Sequence, residues 1–125
     1  MVNKLDELLN FHSQALGLRA MRQQILASNI ANADTPGYKA RDIDFRQALK
    51  AAIDAPEAQP GTPAIAMATA EPQILYRTVV QPSADGNTVD MDVERAQFAE
   101  NAARYEANLT FLNGRIRSML AAIQG

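Results

Sequence analysis

The sequence contains no cysteine and no tryptophan, and its 125 residues include a single histidine. Without cysteine there is no disulfide framework, no thiol nucleophile and no cysteine-ligated zinc. No stretch approaches the roughly 18 apolar residues of a membrane span. The opening segment MVNKLDELLNFHSQALG carries Asp6 and Glu7 where a secretion signal needs a continuous apolar core. A soluble chain without a cleaved signal is therefore expected, and any export must use a route that does not need one. Charge of one sign is also missing. Twelve basic and 14 acidic residues leave a net charge of −2, which gives no general drive toward nucleic acid or an anionic membrane.

Catalytic constellations are equally sparse. There is no G-x-S-x-G elbow, and His12 sits inside a helical pattern, where a packing role is expected rather than a catalytic one. Neither G-x-G-x-x-G nor G-x-x-x-x-G-K-[ST] occurs, so no phosphate cradle is expected. Asp85, Asn87, Asp90, Asp92 and Glu94 crowd together, but Gly86 directly follows Asp85 and the rest fall on a helix start. A calcium loop places its glycine sixth and its closing glutamate twelfth, so turn and capping roles are expected for these residues. Arg19, Arg22, Lys39, Arg41 and Arg46 are offset by Asp34, Asp42 and Asp44, which points to solvated faces or subunit salt bridges. No enzyme activity, cofactor, metal or small-molecule substrate is expected.

What the sequence does carry is long helical periodicity at both ends. From Asn3 to about Ala33, one apolar row runs Leu5, Leu9, Leu16, Leu26 and Ile30, and a second runs Leu8, Phe11, Ala15, Leu18 and Ile25. Asn3 is the candidate N-cap, with Asp6 in the first turn. The two rows lie side by side and make an unusually wide apolar face, opposite Asp6, Asn10, Ser13, Gly17, Gln24 and Ser28. From Asp90 to Gln124, Phe98, Ala102, Tyr105, Leu109, Leu112, Ile116, Met119 and Ile123 alternate at spacings of four and three. That is a heptad seam, interrupted only near its start by Arg95. Asp90 suits an N-cap, and Asp92 and Glu94 suit the positive end of the helix dipole. Gly114 sits off this seam, in a place where glycine costs about 1 kcal/mol relative to alanine. Either the glycine is a neutral slip or a neighbouring chain approaches closely there, and the second is the expectation carried forward.

Between the helices the chemistry changes. Asp44 and Gln47 resemble a capping box ahead of a short helix through Phe45, Ala48, Leu49, Ala52 and Ile53. The stretch DAPEAQPGTPAIAMATAEPQ holds four of the six prolines and reads as an extended connector. ILYRTVVQ, residues 74–81, reads as a strand. An Asp85-Gly86-Asn87 turn and Thr88-Val89 read as its hairpin return. The fold class expected is mainly α. Long N- and C-terminal helices pack as a coiled-coil-like pair, joined by a short helix, an extended proline-rich connector and a small β-hairpin. The chain reads as one domain, 1–125, with parts at 1–34, 35–89 and 90–125.

The stretch SNIANADTPGYKARDIDF, residues 28–45, closes the first helix. Thr35 precedes a proline and is pushed out of helical geometry. Asn32 is the expected left-handed terminator. Pro36-Gly37 fits the centre of a type II turn, and Tyr38 offers an aromatic anchor. One partner helix can cover only one of the two apolar rows of the first helix. The surplus row argues for an obligate oligomer or a filament of stacked copies.

SNIANADTPGY also resembles the motif that ends the first helix of the bacterial flagellar rod and hook proteins. KARDIDF, LYR, QPSADGNTVDMD and ERAQFAENAARYEANLTFLNGRI resemble the proximal-rod members of that family. The resemblance covers both ends and most of the middle, and is weak only across about residues 51–73. It assigns the family motif to Asn29, Ala31, Asn32, Thr35, Pro36, Gly37 and Tyr38. It implies a structural, non-enzymatic subunit exported through the flagellar type III apparatus without a cleaved signal. It implies a location in the rod, in the periplasmic space, and neighbours that include its own copies, other rod proteins, the rod–ring adaptor protein and the inner-membrane ring. Helix packing and assembly contacts are expected at Leu5, Leu9, Leu16, Leu18, Ile25, Leu26, Ile30, Phe98, Tyr105, Leu109, Leu112, Gly114, Ile116, Met119 and Ile123. The competing reading from the residues is a soluble helical adaptor or export chaperone, or another rod or hook subunit.

Overall fold

A computed structural model describes residues 2–54, 72–79 and 83–125. Helix α1 runs Val2–Ala31, strand β1 Arg41–Ile43, helix α2 Phe45–Asp54, strand β2 Ile74–Tyr76 and helix α3 Met91–Gln124. The two terminal helices pack antiparallel. His12 meets Phe111, Arg19 meets Asn101, Arg22 meets Gln97 and Asn29 meets Glu94, so partners on α3 fall as positions on α1 rise. The mainly helical architecture with long paired termini is the one the periodicity predicts.

The caps show why the helices start where they do. Asp90 is extended and its side chain accepts from the backbone N–H groups of Asp92 and Val93, with both acids of the first turn in place. Asp44 does the same for α2, accepting from the Gln47 N–H at 3.1 Å. α1 differs from expectation. A cap residue stands outside helical geometry, whereas Asn3 is already helical, and the first turn of α1 holds no acidic residue. The far end of α1 also closes otherwise than expected. Among the described residues no non-glycine residue has positive φ, so Asn32 is not a left-handed terminator. Instead its N–H bonds back to the Ser28 carbonyl at 3.1 Å, its Nδ2 donates to the same carbonyl at 2.8 Å, and its Oδ1 accepts from the Thr35 hydroxyl at 3.1 Å. A side-chain bond replaces the backbone reversal.

The small sheet also has another partner than expected. β2 pairs antiparallel with β1, Arg41 opposite Tyr76 and Ile43 opposite Ile74. Thr88-Val89 does not return along β2. Thr88 lies beside Tyr38–Ala40, its N–H bonded to the Tyr38 carbonyl at 3.0 Å and its hydroxyl accepting from the Ala40 N–H at 2.8 Å. The reason is that the segment before α3 must pass the end of α1, where unpaired carbonyls need donors. The strand is also shorter than 74–81. It ends at Tyr76, and residues 80 and 81 lie outside the described residues. Most of the proline-rich connector, residues 55–71, lies outside them as well.

Candidate functional site

The buried groups cluster where α1 ends, α3 begins and the middle segment crosses both. Among the described residues apolar burial is small: Ala15 at the middle of α1, with Ile25, Leu26, Ala40 and Ile43 nearer this end. Polar burial is unusually large, with Arg19, Asn29, Asn87, Glu94 and Asn101 all inside. A buried polar group is tolerated only when it is bonded, so these residues dictate the geometry.

Asn29 is the first node. Its Oδ1 accepts from the Arg41 N–H at 3.0 Å and from the Tyr38 hydroxyl at 3.4 Å, while its Nδ2 donates to the Arg41 carbonyl at 2.7 Å and to Glu94 Oε2 at 3.0 Å. The amide thus serves the free edge of β1 as a neighbouring strand would. Asn87 is the second. Its Nδ2 lies 2.9, 2.8 and 2.9 Å from the carbonyls of Asn32, Ala33 and Thr35, and its Oδ1 accepts from the Val89 N–H at 2.8 Å. One side chain from beyond the connector therefore serves the carbonyl-rich end of α1.

The third node is ionic. Arg22 grips Asp42 with two bonds of 2.9 and 3.1 Å. Arg77 donates to Asp42 Oδ2 at 2.9 Å and to Glu94 Oε1. Two cations and two anions, drawn from α1, β1, the residue after β2, and α3, close a neutral network around Glu94, whose side chain is fully buried. Burial pushes the Asp42 carboxyl up, but the hydrogen bonds from Arg22 and Arg77 outweigh it and hold its pKa below the ordinary carboxylate value. The Asp42 bond likewise raises Arg22.

The Pro36-Gly37 turn forms as expected. The Tyr38 N–H bonds to the Thr35 carbonyl at 3.2 Å, and Gly37 has φ 74°. Gly86 has φ 77°, and a β-carbon on it would sit 3.7 Å from Gly37 Cα. The two tight turns touch, and the Gly37 N–H bonds to the Asp85 carbonyl at 2.9 Å. Asp85 and Asp90, grouped with the acids in the sequence, serve a turn and a helix cap.

A family model described as "Flagella basal body rod protein" matches residues 9–39. The flagellar basal body rod protein FlgB of Salmonella typhimurium strain LT2 is 47% identical, with 100% of this chain and 99% of that protein covered. The chain belongs to the FlgB family. FlgB of Escherichia coli K12 is 48% identical over 99% of this chain and 98% of its own. FlgB of Cereibacter sphaeroides is 48% identical over 94% of each.

Within this FlgB-family chain, the motif residues Asn29, Asn32, Thr35, Gly37 and Tyr38 all enter the joint through the bonds above. Ala31 and Pro36 are exposed. The helix-packing residues divide. Ile25 and Leu26 are buried. Leu9, Leu16, Leu18, Ile30, Phe98, Tyr105, Leu109, Leu112 and Met119 are half-buried, and Leu5, Ile116 and Ile123 are exposed. Among the described residues nothing lies within 4 Å of a β-carbon built on Gly114, so no contact among them requires glycine there. Arg22 and Asp42 pair within the chain rather than on a solvated face or between subunits. Asn87 and Glu94 bond across elements beyond the turn and helix-start roles expected of them, and the sequence reading has no role for Arg77 or Asn101. One signal was available: Glu94, Asn101 and Asn108 recur at intervals of seven, a polar row beside the apolar seam.

Proposed function

We propose that the chain is a structural subunit of the proximal rod of the flagellar basal body, polymerising through its terminal helices into part of a hollow shaft that transmits torque. The observation that carries this reading is its end-to-end likeness to FlgB rod proteins. Exposed apolar side chains support it. Leu5, Phe11, Phe111, Ile116, Leu120 and Ile123 lie open on the paired helices, a surface that favours burial against other copies. In this reading the whole chain acts as one rod-subunit domain, and Gly114 sits at a contact between chains. Its partners are other rod proteins, the rod–ring adaptor, the inner-membrane ring and the type III export apparatus. It works in the periplasmic space after export without a cleaved signal. The motif from Asn29 to Tyr38 acts as a hinge of fixed angle shared by every copy.

The test is deletion followed by imaging of isolated basal bodies. Rings without a rod are expected, restored by the intact chain. Pro36→Ala with Gly37→Val should be made and exported but should fail to restore rods. Complete rods in the deletion strain would overturn the reading. A small closed oligomer that never extends would favour an adaptor or export chaperone.

A further inference from the structure

The face of α1 that meets α3 sets polar residues between its two apolar rows, which contribute Ala15 and Leu26 to it. Positions 12, 15, 19, 22, 26 and 29 alternate at intervals of three and four, the spacing of a coiled-coil seam. They are His12, Ala15, Arg19, Arg22, Leu26 and Asn29. Four of the six are polar or ionisable, and the fully buried side chains opposite them, Glu94 and Asn101, are polar too. Their bonds form a ladder between the helices. Asn101 Nδ2 donates to the Arg19 carbonyl at 2.9 Å and to Gln23 Oε1 at 2.7 Å. Arg19 Nη1 donates to Asn101 Oδ1 at 3.4 Å, Arg22 Nη2 to Gln97 Oε1 at 2.7 Å, and Asn29 to Glu94. Arg19 also lies over the Phe45 ring, 3.8 Å from its centroid.

Stability alone does not account for such a seam. Replacing buried polar pairs by apolar residues of similar size is often neutral or stabilising, and this seam leaves Arg19 Nε without a partner among the described residues. The best-attested use of a buried polar group between helices is to fix register. This chain has particular need of that. Its apolar rows flank the seam and would pair with many helices in many registers, whereas each rung of the ladder is satisfied in only one.

We propose that the ladder of Arg19, Arg22, Gln23 and Asn29 with Glu94, Gln97 and Asn101 is a register lock that commits α1 and α3 of one chain to each other. A second consequence, which rests on the rod reading, is that the flanking apolar rows are thereby kept for neighbouring copies.

The test uses the full chain as a dilute monomer. Because it lacks cysteine, Ala20→Cys and Ala103→Cys, both at exposed positions, give two unique spin labels on facing helices. The parent should show one narrow distance. Arg19→Leu with Asn101→Leu should keep its helix content and melt no earlier, yet show a broad or split distribution, a slip of one heptad moving the labels by about 10 Å along the axis. Leu26→Ala, in the same seam but off the ladder, should melt earlier and keep the single distance. An unchanged distance in the double variant would overturn the proposal. So would loss of its helix content, which would make the ladder a stability element, or equal broadening in Leu26→Ala. The second consequence is read separately. The double variant should self-associate at concentrations about tenfold lower or less. Broadened distances without that shift would leave the lock standing and count against the rod reading of the flanking rows.

Discussion

The two ends of the helix pair are built by opposite rules. Around the end of α1 and the start of α3, Asn29, Glu94 and Asn101 are fully buried and bonded to partners from other elements. At the other end the chain is apolar and open. Phe111 is 47% exposed, Leu120 51% and Ile123 82%. Between them, His12 packs its ring against Phe11 and Phe111 with centroids 5.4 and 4.9 Å apart. The difference teaches how one short chain can be both a folded object and a polymer part. Polar groups in the joint demand specific partners and find them within the chain. Apolar rows demand only burial, and the chain alone does not supply it.

The comparison breaks most sharply at Glu94. Glu94→Ala leaves Arg77 and Asn29 Nδ2 short of a buried partner, a change that costs about 3–5 kcal/mol. Urea unfolding of the monomer should show that loss. A loss near zero would mean the joint is not held by its ion network.

Acid should act next, and on the joint alone. The folded pKa of Asp42 is depressed, so its contribution to stability is fully present above the ordinary carboxylate range, about pH 4. It is lost as the pH falls through the lower folded value. Asp42→Asn should therefore be less stable than the parent at pH 7, and the gap should shrink as the pH falls to 3. A gap that stays constant would contradict the assignment. The smallest effect on the monomer is expected at the open end. Leu120→Lys with Ile123→Lys places cations at a helix C-terminus, where their sign is favourable. Monomer stability should move by no more than about 0.5 kcal/mol, while concentration-dependent scattering should fall. A large loss of monomer stability would show that these side chains already have partners within the chain.

Local chemistry was readable from the sequence, and pairing over distance was not. Asp90 and Asp44 announce their helices because a cap bonds within three residues of itself. The Pro36-Gly37 turn is legible for the same reason. Asn32 misled because an amide can end a helix in two ways, and nothing nearby says whether the backbone or the side chain will do it. The partner of β2 is not legible in the sequence because β1 lies before the connector and has no strand-like run of its own. The polar seam was passed over because apolar periodicity dominates both helices. Asn101 gains meaning only once Arg19 and Gln23, some 80 residues away, are placed against it.

Hydrogen exchange resolved by residue, on the dilute monomer, tests the central contrast most directly. Amides from Arg22 to Ala31 and from Val93 to Asn101 should be protected close to the level of global unfolding. Those from Leu5 to Phe11 and from Leu112 to Ile123 should exchange through local opening and become protected only on assembly. Uniform protection along both helices in the monomer would contradict the account, because the open end would then be stable without a neighbour.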